Sequence, residues 1–343
     1  MQRRQTRWRS LGTTGQQRRR IGSWTGLSLA VSIGLIGTSL GFARSAAAQV
    51  SLVDDPTPQF EWGGRIESDF RTEFKTETDG GDSFESWRVG VAGDFGGPIN
   101  ESILVGVRTG YRYTHYDFRL DGPSPGYGGS ELPRDPWGAV NTFDIAPSTT
   151  ILVGNSFSVV AAVPIRWSGE TGAEKNGLIA GISAMARWQI TDTFRIGAGI
   201  GVTSALEDDA ETFPLVSLDW KITDSVVLRT EGSWIQGGNT MLLWGPNEAI
   251  RLSLSAGYER NRFRLDDNGN GPDKDGIGEI TAVPIEVGLR FRLYEGAYFD
   301  FRAGLGVAGQ LRVETDGGRK LYEEDYDPSP RISIGLRLPF GLP

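Results

Sequence analysis

From Val283 to Leu293 every second position is apolar: Val283, Ile285, Val287, Leu289, Phe291 and Leu293 alternate with Pro284, Glu286, Gly288, Arg290 and Arg292. The next segment repeats the rhythm, with Phe299, Phe301, Ala303, Leu305 and Val307 against Asp300, Arg302, Gly304 and Gly306. Near the C-terminus Ile332, Ile334, Leu336, Leu338 and Phe340 alternate with Arg331, Ser333, Gly335 and Arg337. Farther upstream Phe60, Trp62, Ile66, Phe70 and Phe74 oppose Glu61, Arg65, Glu67, Asp69, Arg71 and Glu73. A period of two places successive side chains on opposite faces of a strand. These runs are longer than the roughly 5–6 residues of an ordinary soluble strand and match the ~9–11 of a tilted bilayer-crossing strand. One face is too charged for a sandwich core and the other too continuously apolar for water. A closed barrel with lipid outside and a polar interior satisfies both faces and leaves no unpaired edge in hydrocarbon.

Connection lengths point the same way. Short turns are expected at Gly96–Glu101, Gly154–Asn155, Ile190–Thr193, Ile222–Ser225 and Tyr294–Ala297, and longer polar links near 77–84, 120–137, 168–177, 206–212, 236–248, 266–280 and 314–330. The pattern predicts an all-β, up-and-down antiparallel barrel over residues 60–343 with 14 strands, or 12 if weak segments merge. They lie near 60–76, 84–96, 101–119, 138–153, 156–168, 176–190, 193–206, 212–222, 225–236, 247–259, 262–267, 279–294, 297–313 and 330–340. The weakest is 262–267, and Pro147 sits awkwardly in the fourth because proline cannot donate to a ladder. Trp188, Trp220, Trp167, Tyr111 and Tyr113 fall toward strand ends, as interfacial girdles require.

The first 48 residues differ from the rest: they contain eight Arg and no Lys, Asp or Glu, and Arg18, Arg19 and Arg20 precede an apolar stretch from Gly26 to Ala43 that ends at Ser45-Ala46-Ala47-Ala48. This reads as an export signal cleaved near Ala48–Gln49, with an uncleaved anchor as the alternative, followed by a short periplasmic segment at 49–59. Removing its eight positive charges takes the net charge from −8 to −16, which argues against nucleic acid as a partner. The absence of cysteine excludes a disulfide scaffold, a thiolate metal site and a Cys nucleophile.

The phrases GYRYTHYDF, FRIGAGIGV, PLVSLDWKITDSVVLR, GYERNRFRLDDNG and EEDYDPSPRISIGL span most of the mature chain. Together they resemble an uncharacterised family, a domain of unknown function, of predicted Gram-negative outer-membrane β-barrels. The resemblance implies a fold and a location in the cell outer membrane, with no catalytic residues. Lipid, lipopolysaccharide and the outer-membrane assembly machinery are then the expected partners. Many such barrels end on an aromatic residue read by that machinery, whereas here Phe340 is followed by Gly341-Leu342-Pro343.

Candidate chemistry concentrates on the polar face. Expected inward positions are Arg65, Arg71, Arg88, Arg108, Arg112, Arg166, Arg187, Arg195, Arg229, Arg251, Arg290, Arg292, Arg302 and Arg337, interleaved with Glu67, Asp69, Asp94, Asp219, Glu231, Glu286 and Asp300. Either unpaired guanidiniums line a water-filled pore that favours anions, or Arg and carboxylates pair across a closed lumen. The first reading gives a porin-like passive channel for small polar solutes. The second gives a structural or surface-interaction barrel whose acidic loops bind cations.

Within Asp266–Gly276, Asp266, Asn268, Asn270, Asp273 and Asp275 resemble the start of a calcium loop, but Ile277 stands where an EF-hand needs Glu, so only a looser calcium site is expected. Apart from calcium no cofactor is expected. His115 is the single histidine; a wall position beside Tyr113 and Tyr116 competes with an outer-membrane hydrolase that would need it beside a serine and an acid. Gly304, Gly306 and Gly309 match GxGxxG, but inside a strand there is no helix N-terminus to hold pyrophosphate, and small residues facing a crowded lumen account for them better.

Overall fold

A computed structural model describes residues 62–119, 136–175, 177–207, 209–233, 237–245, 249–267, 272–294 and 296–341. The export signal expected at 1–48 and the segment at 49–59 lie outside the described residues.

The alternating segments form β1 (Gly63–Glu77), β2 (Ser83–Asn100), β3 (Ile103–Arg119), β4 (Ala139–Val153), β5 (Phe157–Ala162), β6 (Ile165–Glu170), β7 (Leu178–Thr191) and β8 (Phe194–Thr203). They continue as β9 (Glu211–Thr223), β10 (Val226–Ser233), β11 (Gly237–Trp244), β12 (Ile250–Arg264), β13 (Ile277–Tyr294), β14 (Ala297–Glu314), β15 (Lys320–Tyr326) and β16 (Ser329–Gly341). Apart from β5–β6 and β15–β16, each strand pairs antiparallel with the next, and β1 pairs β16 from Gly63↔Gly341 to Glu73↔Arg331, so the sheet closes on itself. β5 and β6 both lie between β4 and β7, and β15 and β16 both pair with β14, so each couple is one strand interrupted near a proline. The closed barrel therefore has 14 strands.

The prolines cost few hydrogen bonds. Pro147 still accepts from the Val163 amide at 3.0 Å and Pro164 from the Gly181 amide at 2.9 Å, so each forfeits only its own donor.

The strand number matches expectation while two strands differ. Residues 236–248, expected as a long loop, contain β11, and of residues 262–267, expected as a separate strand, 262–264 are the end of β12, in unbroken register with β13 from Glu259↔Ala282 to Arg264↔Ile277, while 265–267 lie beyond it. The segment GGNTMLLW opens on Gly237, Gly238, Asn239 and Thr240, which carry turn chemistry, and only its second half shows the apolar rhythm. The GxGxxG glycines lie inside β14.

Outward positions expose a continuous apolar surface, including Phe70, Trp87, Phe143, Ile182, Ile200, Leu254 and Val287. A patch of that extent is not stable in water and marks the lipid-facing wall of a transmembrane barrel. Among the described residues no helix is long and apolar enough to cross a membrane. The buried core lies inside the barrel.

Candidate functional site

Alternation aims charged rows into the lumen, where much of the wall is neutralised pair by pair. Arg65 donates from Nε to Asp94 at 2.8 Å, Arg108 from Nη2 to Glu67 at 3.1 Å, and Arg337 lies 2.8 Å from Glu67. Arg166 donates to Asp144 at 2.6 Å and Arg290 to Asp300 at 2.7 Å. Arg88 is 3.4 Å from Asp69, Arg302 3.9 Å from Glu286, and Arg229 3.6 Å from Asp219. Arg251 stands directly opposite Arg290 in register, and Arg292 follows on the same face. Glu231 is registered with Asn239 in the backbone, and its side chain lies outside the described set.

Other contacts span the lumen. Glu259 on β12 accepts from Arg71 on β1 at 2.6 Å and from Arg331 on β16 at 3.0 Å, while Arg331 also reaches Glu73 at 3.0 Å. Arg112 on β3 donates to Asn261 on β12 at 3.1 Å. Charges this buried are stable only with partners, so the bonds fix β12 against the opposite wall. Gly306 and Gly309 have the same origin: a Cβ at Gly306 would enter the Arg331 guanidinium, and one at Gly309 would enter the Tyr326 ring.

Toward the long-loop end the lumen is filled by Phe84, Tyr116, Phe118, Trp137, Phe263 and Tyr326 with Leu311 and Val313. Trp137 is 2% exposed and meets Tyr116, Phe118 and Phe263 edge-on at ring centroids 5.2–5.9 Å apart. Beneath it a small polar pocket, with room for only a few waters, is lined by Arg71, Arg88, Arg331, Glu259 and Asn261 among others.

β12 divides this end. Its pairing with β11 stops at Tyr258, yet it continues to Arg264, which bridges Gly169 of β6. Its inner side carries Glu259, Asn261 and Phe263. Its other side carries Arg260, bonded to Glu211 and Glu279 at 3.0 Å, Arg262, bonded to Glu314 at 2.6 Å, and Arg264, bonded to Glu207 at 2.7 Å. A second small pocket lies there, against Arg166, Ile179, Thr203 and Glu211. The strand end thus crosses the mouth as a partition.

Sequence reasoning missed Glu73, Asp144, Glu259, Asn261, the Arg260–Arg264 row and the aromatic plug. One signal was available: arginine at 260, 262 and 264 stands where Leu252 and Leu254 face lipid, so that part of the strand cannot be in hydrocarbon.

Of the calcium-loop residues, Asp266, Asp273 and Asp275 are described, and burial with the nearby Asp266 raises the Asp273 carboxyl above its ordinary range. Asn268 and Asn270 lie outside the described residues, the Asp266 carbonyl accepts from the Asp275 amide, and the Asp275 carbonyl accepts from Arg264. Among the described residues no group of three or more acidic or histidine side chains is placed to hold a metal ion. His115 shares the outward face of β3 with Tyr111 and Tyr113, and its ring lies 5.7 Å from that of Trp87.

No family model matches the chain, and no curated protein matches it. Among solved structures it is similar to an outer-membrane channel from Pseudomonas putida F1, at 9% identity and TM-score 0.42 over 84% of this chain and 100% of that one. It is also similar to a Pseudomonas aeruginosa FadL homologue, at 12% identity and TM-score 0.44 over 82% of this chain and 90% of that one. The Pseudomonas putida toluene transporter TodX gives 9% identity and TM-score 0.42 over 87% of this chain and 96% of that one. At these values the likeness assigns neither a family nor a solute.

Proposed function

We propose that the protein is an outer-membrane barrel that passes small polar solutes at a low rate, with the aromatic plug and the β12 partition restricting its outer mouth. The observation that carries this reading is the opposition of an apolar outer wall and a charged inner wall in one closed sheet, which makes the lumen a polar route through hydrocarbon. Pairing of most lumen arginines supports weak charge selectivity; a ring of free guanidiniums would have supported a strong one. Lipid and lipopolysaccharide contact the belt and rim in this proposal, and the assembly machinery inserts the chain. Purified protein in planar bilayers is expected to show small, defined conductance steps, and silence at every voltage overturns the channel reading.

The plug favours a second reading, a closed barrel whose acidic loops contact cations at the surface. Calcium titration by calorimetry, with and without Asp266→Ala and Asp273→Ala, separates a loop site from a merely solvated loop.

A further inference from the structure

Neutralisation of the wall is uneven. On β7–β10, toward the short-turn end, the inner face carries Arg187, Arg195 and Arg229 against one carboxylate with a described side chain, Asp219. Arg187 is 8% exposed and, among the described residues, has no carboxylate within salt-bridge distance and no hydrogen-bond partner for its Nε. Arg195 bonds the neutral Gln189 at 3.1 Å. A buried guanidinium left this way carries a desolvation penalty that an anion relieves.

The surroundings form a seat. Gly197 stands between Arg187 on β7 and Ser217 on β9 in register, and a Cβ there would enter Ser217 Oγ and come within 3.0 Å of the Arg187 stem. The absent side chain lets Arg187 lie along the wall beside the Ser217 hydroxyl, with Arg195 next along β8. Arg187, Arg195 and Ser217 thus lie on three adjacent strands within two register positions of Gly197.

We infer that Arg187, Arg195 and Ser217 form a binding site for a small oxyanion, a carboxylate or phosphate group, in the lumen near the short-turn end. The planar fork of a guanidinium pairs with such groups at two points, which chloride cannot match. The inference rests on the proposed polar lumen for access, and deepens it by naming the class of solute held.

The test uses the full mature barrel in zwitterionic detergent, titrated calorimetrically with inorganic phosphate and with acetate at constant chloride. Saturable binding is expected, weakened at least tenfold in Arg187→Gln, weakened less in Arg187→Lys, and unchanged in Arg119→Gln, which sits on the exposed rim. Arg195→Gln provides the same reading if Arg187→Gln fails to give a barrel spectrum by circular dichroism. In planar bilayers under a potassium chloride gradient, Arg187→Gln is expected to shift the reversal potential toward cations at similar conductance. Absence of oxyanion binding, or equal binding in Arg187→Gln, overturns the site even if the barrel conducts. Arginine-dependent binding by a silent barrel upholds the site and overturns the channel.

Discussion

Arg331 is 2% exposed, and Glu259 and Glu73 hold its guanidinium from two other strands, β12 and β1. Because Glu259 also accepts from Arg71, one carboxylate stabilises two buried cations. Glu259→Ala is expected to destabilise the barrel by about 3–5 kcal/mol, the cost of orphaning a buried pair, read by denaturant unfolding in lipid. Glu259→Gln is expected to lose less, since an amide oxygen still accepts one bond.

At the loop end of β6, burial raises the Glu170 carboxyl above its ordinary range, with Asp266 and Asp273 adding repulsion against the pull of the Gly138 and Asp266 amides. The folded chain thus binds this proton more readily than the unfolded chain. Its contribution to stability therefore falls as pH rises from the ordinary carboxylate range through the raised value, and recovers on acidification. The unfolding free energy in denaturant is expected to rise as pH falls through that window, and Glu170→Gln is expected to flatten the response.

Among the elements, β12 shows best what alternation encodes. Leu252 and Leu254 face lipid, while Arg260, Arg262 and Arg264 on the same parity face the carboxylates of Glu211, Glu279, Glu314 and Glu207. An arginine at position 254 is expected to cost roughly 2–4 kcal/mol in a bilayer folding equilibrium, as lipid-facing arginine does near the midplane. Strand existence and facing were legible because lipid and lumen impose opposite chemistry at every step. The inward placement of Arg65, Arg108 and Arg166 followed directly from that rhythm. What failed was local: glycine and asparagine at the head of β11 read as a loop because its pairing comes from its neighbours in the sheet. The acid partners of Arg71 and Arg331 were illegible for a different reason. Glu259 lies 188 residues from Arg71, and no strand pattern states which walls meet across a lumen.

For the whole molecule, the lumen is a packed core toward the long loops and a charged lining toward the short turns. Trp137 closes the first, and Trp137→Ala is expected to cost about 3–5 kcal/mol as a cavity while enlarging the conductance step in bilayers. Loss of stability without a larger step would place the block at β12 instead, and Arg264→Ala with Glu207→Ala would then be the variants that widen the path.

The pairing of β1 with β16 joins residues 63–73 to residues 331–341. No seam in the sheet has a longer intervening chain, so its closure entropy is the largest and its contacts are expected to form late. Until that final zipper engages, both outermost strands present bare amides and carbonyls to hydrocarbon. A partly threaded chain is therefore a sticky, short-lived species, and completion is a single late event rather than a gradual gain.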